Sequence, residues 1–163
     1  SSDLSPYISD KNLTTLLEEA DIIWLASSWK ISQASRIKES VENISKKYSA
    51  KVFVFSTKDF GEMRLGYWMR QDHTDRASIR NLTSIESNEV NKLLRNSLTK
   101  RVFVDISNMF CSESGSCLIF DSNGNLLTND GRHLTQFGAQ LLGSQLQDKH
   151  RVIFSITNGK SVH

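Results

Sequence analysis

The chain has 163 residues, of which 38% are hydrophobic and 23% charged, with a single Pro and 8 Gly. This balance excludes a disordered or low-complexity chain and predicts one globular domain. The formal net charge is only +2, and Lys and Arg are interspersed with Asp and Glu, so we expect no nucleic-acid partner. No apolar run approaches the roughly 20 residues that span a bilayer, and we expect neither a membrane span nor an export leader within these residues.

Helices and strands alternate from the beginning of the chain. Residues 12–20 carry apolar side chains at helical spacing and lead into the apolar run 22–26, which is typical of a buried strand. Residues 31–48 place apolar side chains on one stripe and predict a single amphipathic helix. The β-branched and aromatic run 51–56 then predicts a second strand.

After an irregular stretch at 57–82, the pattern predicts a helix at 87–98 and a third strand at 101–105. Strands that alternate with crossover helices indicate an α/β fold. We therefore expect a three-layer α/β/α sandwich with a mainly parallel, flavodoxin-like sheet, and ligands at the carboxyl ends of its strands. The loop at 57–61 follows such a strand end, so it either lines a substrate cleft or is an ordinary surface loop.

A hairpin is predicted after the third strand. The apolar segments 117–120 and 126–128 flank Asn123 and Gly124, and the Asn-Gly pair is a strong hairpin turn signal. Beyond it, Thr135 is a plausible N-cap of a last helix at 136–146.

Two further features lie near the C-terminal end. Gly138 falls in the first turn of the predicted last helix, where Gly costs about 1 kcal/mol against Ala, so it indicates close backbone packing. Residues 151–155 form another apolar and β-branched run, which predicts a terminal strand.

The chain has two cysteines, Cys111 and Cys117, separated by five residues that include Gly115 and three serines. Such a flexible segment can bring the two Cα atoms within disulfide range, although free thiols are the alternative. A zinc site is less favoured, because no His or second Cys pair lies nearby at ligand spacing. The closeness of the only two cysteines favours a disulfide and an oxidising compartment.

Asp130 and His133 lie on one short turn just before the last helix. One interpretation is an ordinary turn residue and a surface histidine. The other is a catalytic pair, in which the carboxylate fixes the imidazole tautomer and stabilises its protonated form, so that the free ring nitrogen accepts a proton from a serine.

The residues Asp-Gly-Arg-His-Leu-Thr-x-x-Gly-Ala at 130–139 follow the cysteine hairpin and a strand that ends in Val-Asp. This block resembles the C-terminal block of SGNH (GDSL-type) esterase and acyltransferase domains, in particular the SGNH domain fused to bacterial acyltransferase-3 membrane proteins. The segment 20–29, which ends in Ser-Ser-Trp, resembles a strand of the same fused domains. The resemblance implies that His133 is the general base and that Asp130 is its orienting carboxylate.

The family's nucleophilic serine lies in a Gly-Asp-Ser motif at the end of the first strand, and this sequence contains no Gly-Asp-Ser. We therefore expect residues 1–163 to be a single SGNH-like domain or its C-terminal portion, apparently lacking the first strand. The chain is a piece of a longer domain, or it has lost the serine, or another serine has replaced it. We favour the first, because a parallel sheet without its central strand would expose two edges. Ser28 is a candidate for an oxyanion donor, and the alternative is that it caps the next helix.

The resemblance implies an O-acyltransferase that passes an acetyl group to a bacterial surface carbohydrate, with the donor delivered by a membrane acyltransferase domain. It implies no metal and no cofactor, and a periplasmic or extracytoplasmic location, tethered to the inner membrane through a region upstream. The alternatives are a carbohydrate esterase, a catalytically silent carbohydrate-binding or scaffold domain, and a cytosolic α/β protein in which the Asp/His spacing is accidental.

Overall fold

The structure is a computed structural model and describes residues 11–149. The terminal strand predicted at 151–155 lies outside these residues. Helices and strands alternate along the chain, as expected. The strands are β1 (Ile22–Leu25), β2 (Lys51–Phe55), β3 (Arg80–Leu82), β4 (Phe103–Val104) and β5 (Ser116–Leu118). The helices are α1 (Lys11–Glu19), α2 (Ile31–Ala34), α3 (Ile37–Lys47), α4 (Leu65–Trp68), α5 (His73–Arg76), α6 (Ile85–Ser97) and α7 (Gln136–Lys149), with a 3₁₀ turn at Ser107–Met109.

Three of the strands form a parallel sheet in the order β1-β2-β4. Ile23 is opposite Val52 in the first pair, and Val54 is opposite Phe103 in the second. The central strand β2 is buried from its second residue to its last, as the continuous apolar run requires when both faces of a strand are covered. The parallel sheet expected from the sequence is therefore confirmed.

Alternate side chains of β2 enter two different hydrophobic cores. Val52 and Val54 pack against the apolar faces of α2, α3 and α6. Phe53 and Phe55 face the opposite layer, which contains α7, the short α4 and the loops around them. One sheet with a core on each face is a three-layer α/β/α sandwich, so the predicted fold class is confirmed.

The single helix predicted over 31–48 is wrong, because the structure has two helices with a break at Ser35 and Arg36. The apolar stripe continues across the break: Ala34, Ile37 and Val41 are all buried in the same core. The Ser35 hydroxyl donates to the Ser32 carbonyl, a local alternative to the helical ladder. The hydrophobic pattern reports which face is buried and is insensitive to such a break.

A second, two-stranded antiparallel sheet was not predicted. β3 pairs with β5, with Asn81 opposite Cys117. The predicted hairpin is present only as an isolated bridge between Phe120 and Leu126, around a turn whose Gly124 has φ 74°. The strand expected at 117–120 thus pairs mainly with β3. This small sheet packs beside the loop that follows β2.

The predicted disulfide is present and links Cys111 to Cys117. Gly138 packs as expected: a Cβ atom there would lie 2.2 Å from the Leu127 carbonyl oxygen. Thr135 Oγ1 accepts a hydrogen bond from the Gly138 N–H, which fits its predicted role as N-cap of α7. Within residues 11–149, no helix is long and apolar enough to cross a membrane.

Candidate active site

The loops after β1 and β2 are fastened together at the carboxyl edge of the sheet. The Trp29 backbone N–H donates to Thr57 Oγ1 at 3.0 Å, and its indole Nε1–H donates to the Phe55 carbonyl at 2.8 Å. Thr57 Oγ1 in turn donates to the Ser27 carbonyl. Ser28 lies between these anchored residues, so its backbone position is fixed while its side chain remains exposed.

Helix α6 is attached to the same edge through one buried amide. Asn91 Oδ1 accepts from the Thr57 backbone N–H at 2.9 Å, and Asn91 Nδ2 donates to the Thr57 carbonyl at 2.8 Å. The side chain therefore satisfies both backbone groups of a buried residue that has left the sheet. This contact therefore fixes the backbone position of Thr57, from which the chain continues to Lys58 and Asp59.

The turn that carries Asp130 and His133 is built around Thr128, whose side chain is fully buried. Thr128 Oγ1 donates to the His133 carbonyl at 2.7 Å and accepts from the Gly131 N–H at 3.0 Å. The Gly131 carbonyl accepts from the Phe60 backbone N–H at 2.8 Å, which joins the turn to the loop after β2. Two segments far apart in the sequence thereby form one rim.

The structure brings Asp130 and His133 into direct contact. Asp130 Oδ2 is 2.6 Å from His133 Nδ1, while Oδ1 accepts from the backbone N–H groups of His133 and Arg132. The side-chain bond from His133 and the two backbone bonds hold the pKa of Asp130 well below its usual range. The carboxylate is therefore ionised, and as an acceptor it requires a proton on Nδ1.

The free side of the imidazole faces solvent. The His133 side chain is 85% exposed, and with Nδ1 bound to Asp130 its other nitrogen, Nε2, is the one that can take up a proton. The pair thus has the geometry of a general base with an orienting carboxylate.

Lys58 adds a cation beside this turn. Its Nζ donates a hydrogen bond to the Arg132 carbonyl. Burial lowers the pKa of Lys58, and the attraction of the Asp130 carboxylate partly opposes that shift. Lys58 therefore ties the loop after β2 to the turn between Asp130 and His133.

Asp59, the next residue, organises the N-terminus of α6. Its Oδ2 accepts from the hydroxyls of Ser84 at 2.6 Å and Ser87 at 2.8 Å, and its Oδ1 accepts from the Gly61 N–H. Burial opposes ionisation of Asp59, but these hydrogen bonds outweigh it and lower the pKa below its usual value. Asp59 is accordingly a structural carboxylate of the cleft wall.

These segments enclose a cleft of about 500 Å³ at the carboxyl edge. Ser28 and Asp130 both line it, together with the loop after β2, which the sequence had suggested as a cleft wall. The lining also includes Trp29, Lys30, Glu62, Ser84, Glu86, Ser87 and Arg132. A cleft at the carboxyl ends of parallel strands is the expected position for a ligand site.

The sequence suggested the loop at 57–61 as a cleft wall, but it indicated neither the contact of Lys58 with Arg132 nor the presence of Ser84 and Ser87 in the lining. The bond from Lys58 to Arg132 spans 74 positions, and those from Asp59 to Ser84 and Ser87 span 25 and 28, so no local pattern indicates them. Among residues 11–149, no group of three or more His, Cys, Asp or Glu side chains is arranged to hold a metal ion.

A family model described as "SGNH domain (fused to AT3 domains)" matches residues 6–148. The chain belongs to this SGNH family. The resemblance noted in the sequence is confirmed, and membership places the chain in a superfamily of hydrolase- and acyltransferase-type proteins. Neither the search of curated proteins nor the search of solved structures found a match.

Proposed function

We propose that this SGNH domain is part of an O-acyltransferase that moves an acetyl group to a hydroxyl of a bacterial surface carbohydrate. His133 is the general base and Asp130 is its orienting carboxylate. The observation that carries the proposal is the 2.6 Å contact between His133 Nδ1 and Asp130 Oδ2 beside a cleft at the carboxyl edge of the sheet. An ionised carboxylate on Nδ1 leaves the Nε2 lone pair available and stabilises the imidazolium.

The reaction proceeds in two transfers. In the first, a serine Oγ attacks the acyl carbonyl of the donor while His133 Nε2 takes the serine proton, and the tetrahedral intermediate then collapses as His133 gives that proton to the leaving group. In the second, a sugar hydroxyl attacks the acyl-serine, and His133 takes the hydroxyl proton and returns it to the serine. Each transfer breaks one bond to the acyl group, forms one new ester bond and leaves His133 neutral.

The serine is expected in a Gly-Asp-Ser segment that residues 1–163 do not contain. In this proposal the segment precedes these residues in the protein. Ser28 supplies an oxyanion donor through its hydroxyl or backbone N–H: it lies in the cleft with Asp130, and Trp29 holds its loop in place. A preorganised donor at this position would stabilise both tetrahedral intermediates.

The acyl donor reaches the domain from a membrane acyltransferase partner, because the matching family is described as fused to AT3 domains. The Cys111–Cys117 disulfide supports a location outside the cytosol. Together these observations support a periplasmic or other extracytoplasmic domain tethered near the membrane. The mechanism uses neither a metal ion nor a bound cofactor.

The test is hydrolysis of 4-nitrophenyl acetate by the protein as its gene encodes it, with a fluorophosphonate probe to label the nucleophile. His133→Ala should lower kcat by about 10²- to 10⁴-fold, the range for loss of a general base. Asp130→Asn should lower activity as well and should change the ring ¹⁵N shifts of His133 by altering its tautomer. His73→Ala, which removes another exposed histidine, should behave as wild type. Mass spectrometry should place the label on a serine that follows Gly-Asp.

A carbohydrate acceptor distinguishes transfer from hydrolysis. If added polysaccharide diverts acetyl groups from water to sugar, the transferase is supported, whereas exclusive release of acetate supports the esterase. Folded wild-type protein with neither hydrolysis nor labelling would overturn both and support a silent carbohydrate-binding or scaffold domain. Full activity in His133→Ala would refute the assignment of the base. Labelling of Ser28 would show that Ser28 is the nucleophile.

A further inference from the structure

A second pocket of about 290 Å³ lies beside the cleft, between the segment around α4 and strand β3. Glu62 lines both this pocket and the cleft with Asp130. The two depressions are therefore neighbours on one surface. A ligand longer than one sugar unit can occupy both.

The walls of this pocket are held by the fold. Asn81 Nδ2 donates to the carbonyls of Phe60 at 2.7 Å and Glu62 at 2.9 Å, which fixes strand β3 against the loop after β2. Trp68, at the end of α4, is 94% buried within the core and anchors the opposite wall. The pocket is thus bounded by positioned backbone on both sides.

The lining residues combine an aromatic face with positive charge. Tyr67 is 64% exposed although the adjacent Trp68 is buried, so we take its ring as the aromatic face of the pocket. Arg64 and Arg80 line the same pocket, and Glu62 is its one acidic residue. Arg80 donates to the carbonyls of Ala77 and Ile79, which fixes its guanidinium.

Arg64 is the cation of this pocket that remains available. Within residues 11–149 its guanidinium makes no ion pair, and the ion pairs of that part of the chain involve Lys92, Arg95 and His133 instead. A planar guanidinium recognises carboxylate and phosphate groups through paired hydrogen bonds. An exposed tyrosine offers a flat, amphipathic face against which the apolar face of a sugar ring can pack.

We propose that the pocket formed by Tyr67, Arg64 and Arg80 is an acceptor subsite that binds an anionic sugar unit of the carbohydrate. This subsite rests on the proposed function in one respect: the bound carbohydrate extends past Glu62 into the cleft and presents a hydroxyl there. The charge that Arg64 recognises is a carboxylate or a phosphate on the sugar.

The experiment is an NMR titration of the ¹⁵N-labelled protein with three probes: tetragalacturonic acid, phosphorylated maltotetraose and maltotetraose. Shift changes should be concentrated at Tyr67, Asn81 and Leu82, and at least one anionic probe should bind more tightly than maltotetraose. Arg64→Gln should weaken that binding by about tenfold, which corresponds to the loss of about 1.4 kcal/mol. Tyr67→Leu should weaken all binding at this pocket. Arg101→Gln is the control: it neutralises an exposed arginine just before β4, and this variant should bind the probes as wild type does.

The anionic probes separate the two sources of charge, because the carboxylate and the phosphate are presented on different molecules. Equal binding of maltotetraose, or an unchanged affinity in Arg64→Gln, would overturn the subsite. This readout needs no catalysis. Arg64-dependent binding by a protein that does not hydrolyse 4-nitrophenyl acetate would retain the subsite and reject the proposed function, whereas hydrolysis without such binding would do the reverse.

Discussion

Gly131 packs directly against Gly61 at the rim of the cleft. A Cβ atom on Gly131 would lie 2.3 Å from the Gly61 carbonyl oxygen. Gly131 also has φ 82°, a backbone conformation that residues other than glycine rarely adopt. The same contact aligns the Gly131 carbonyl with the Phe60 N–H. The turn that carries Asp130 and His133 therefore keeps its position because one residue in it has no side chain.

Gly131→Ala should lower the free energy of unfolding by more than about 2 kcal/mol, because a positive φ and a backbone clash are both penalised. Urea unfolding followed by circular dichroism measures the loss. Gly143→Ala is the matched control: Gly143 lies within α7 with open space where a Cβ would be. That control should gain about 0.5–1 kcal/mol. Equal stability of Gly131→Ala and wild type would show that the turn shifts freely.

Thr128→Val should destabilise the protein by about 1–3 kcal/mol, since it leaves the buried Gly131 N–H without its partner and removes the donor to the His133 carbonyl. Valine keeps the volume, so the loss reports the hydrogen bonds. The measurement is again urea unfolding, together with the ring ¹⁵N shifts of His133. Thr99→Val, at an exposed position before β4, should stay within about 0.5 kcal/mol of wild type. A Thr128→Val variant as stable as that control would contradict the role of the hydroxyl.

Asp59→Asn should change how stability depends on pH. The folded-state pKa of Asp59 lies below the unfolded value of about 3.9, so its carboxylate stabilises the fold above that pH and loses this contribution as the pH falls through the folded pKa. The difference in unfolding free energy between wild type and Asp59→Asn should be largest near pH 7 and should shrink below about pH 4. Urea unfolding at pH 7, 5, 4 and 3 measures it. An unfolding free-energy difference between wild type and Asp59→Asn that stays constant from pH 7 to pH 3 would refute the expectation.

Much of the fold follows from hydrophobic pattern alone. The run at β2 is continuous because both faces of that strand are covered, and the run at β1 is equally apolar although Trp24 is exposed; both runs are visible without a structure. Strand β3 was missed because none of its three residues, Arg80–Leu82, is buried, and they form a strand only through their pairing with β5. Pairing partners distant in the sequence leave no periodic signal.

The site divides in the same way. The contact between Asp130 and His133 is local, three residues apart, so the spacing alone suggested it. Hydrogen bonds from Thr128 and from Lys58 hold that turn in place. A buried threonine and a half-buried lysine carry no sequence signature, because their roles depend on which carbonyl the fold brings within reach.

The disulfide should stabilise the domain by only about 2 kcal/mol. The entropic gain grows with the length of the closed loop, and this loop has only a few residues. Cys117 is fully buried, and its Sγ lies 3.6 Å from the Asp59 carbonyl oxygen, so the bridge also supports the loop after β2. Urea unfolding of wild type with and without reductant should show this loss, whereas the double variant Cys111→Ala, Cys117→Ala should be insensitive to reductant. If reductant leaves the stability of wild type unchanged while free-thiol titration shows the bridge to be open, the expected contribution of the disulfide to stability is wrong.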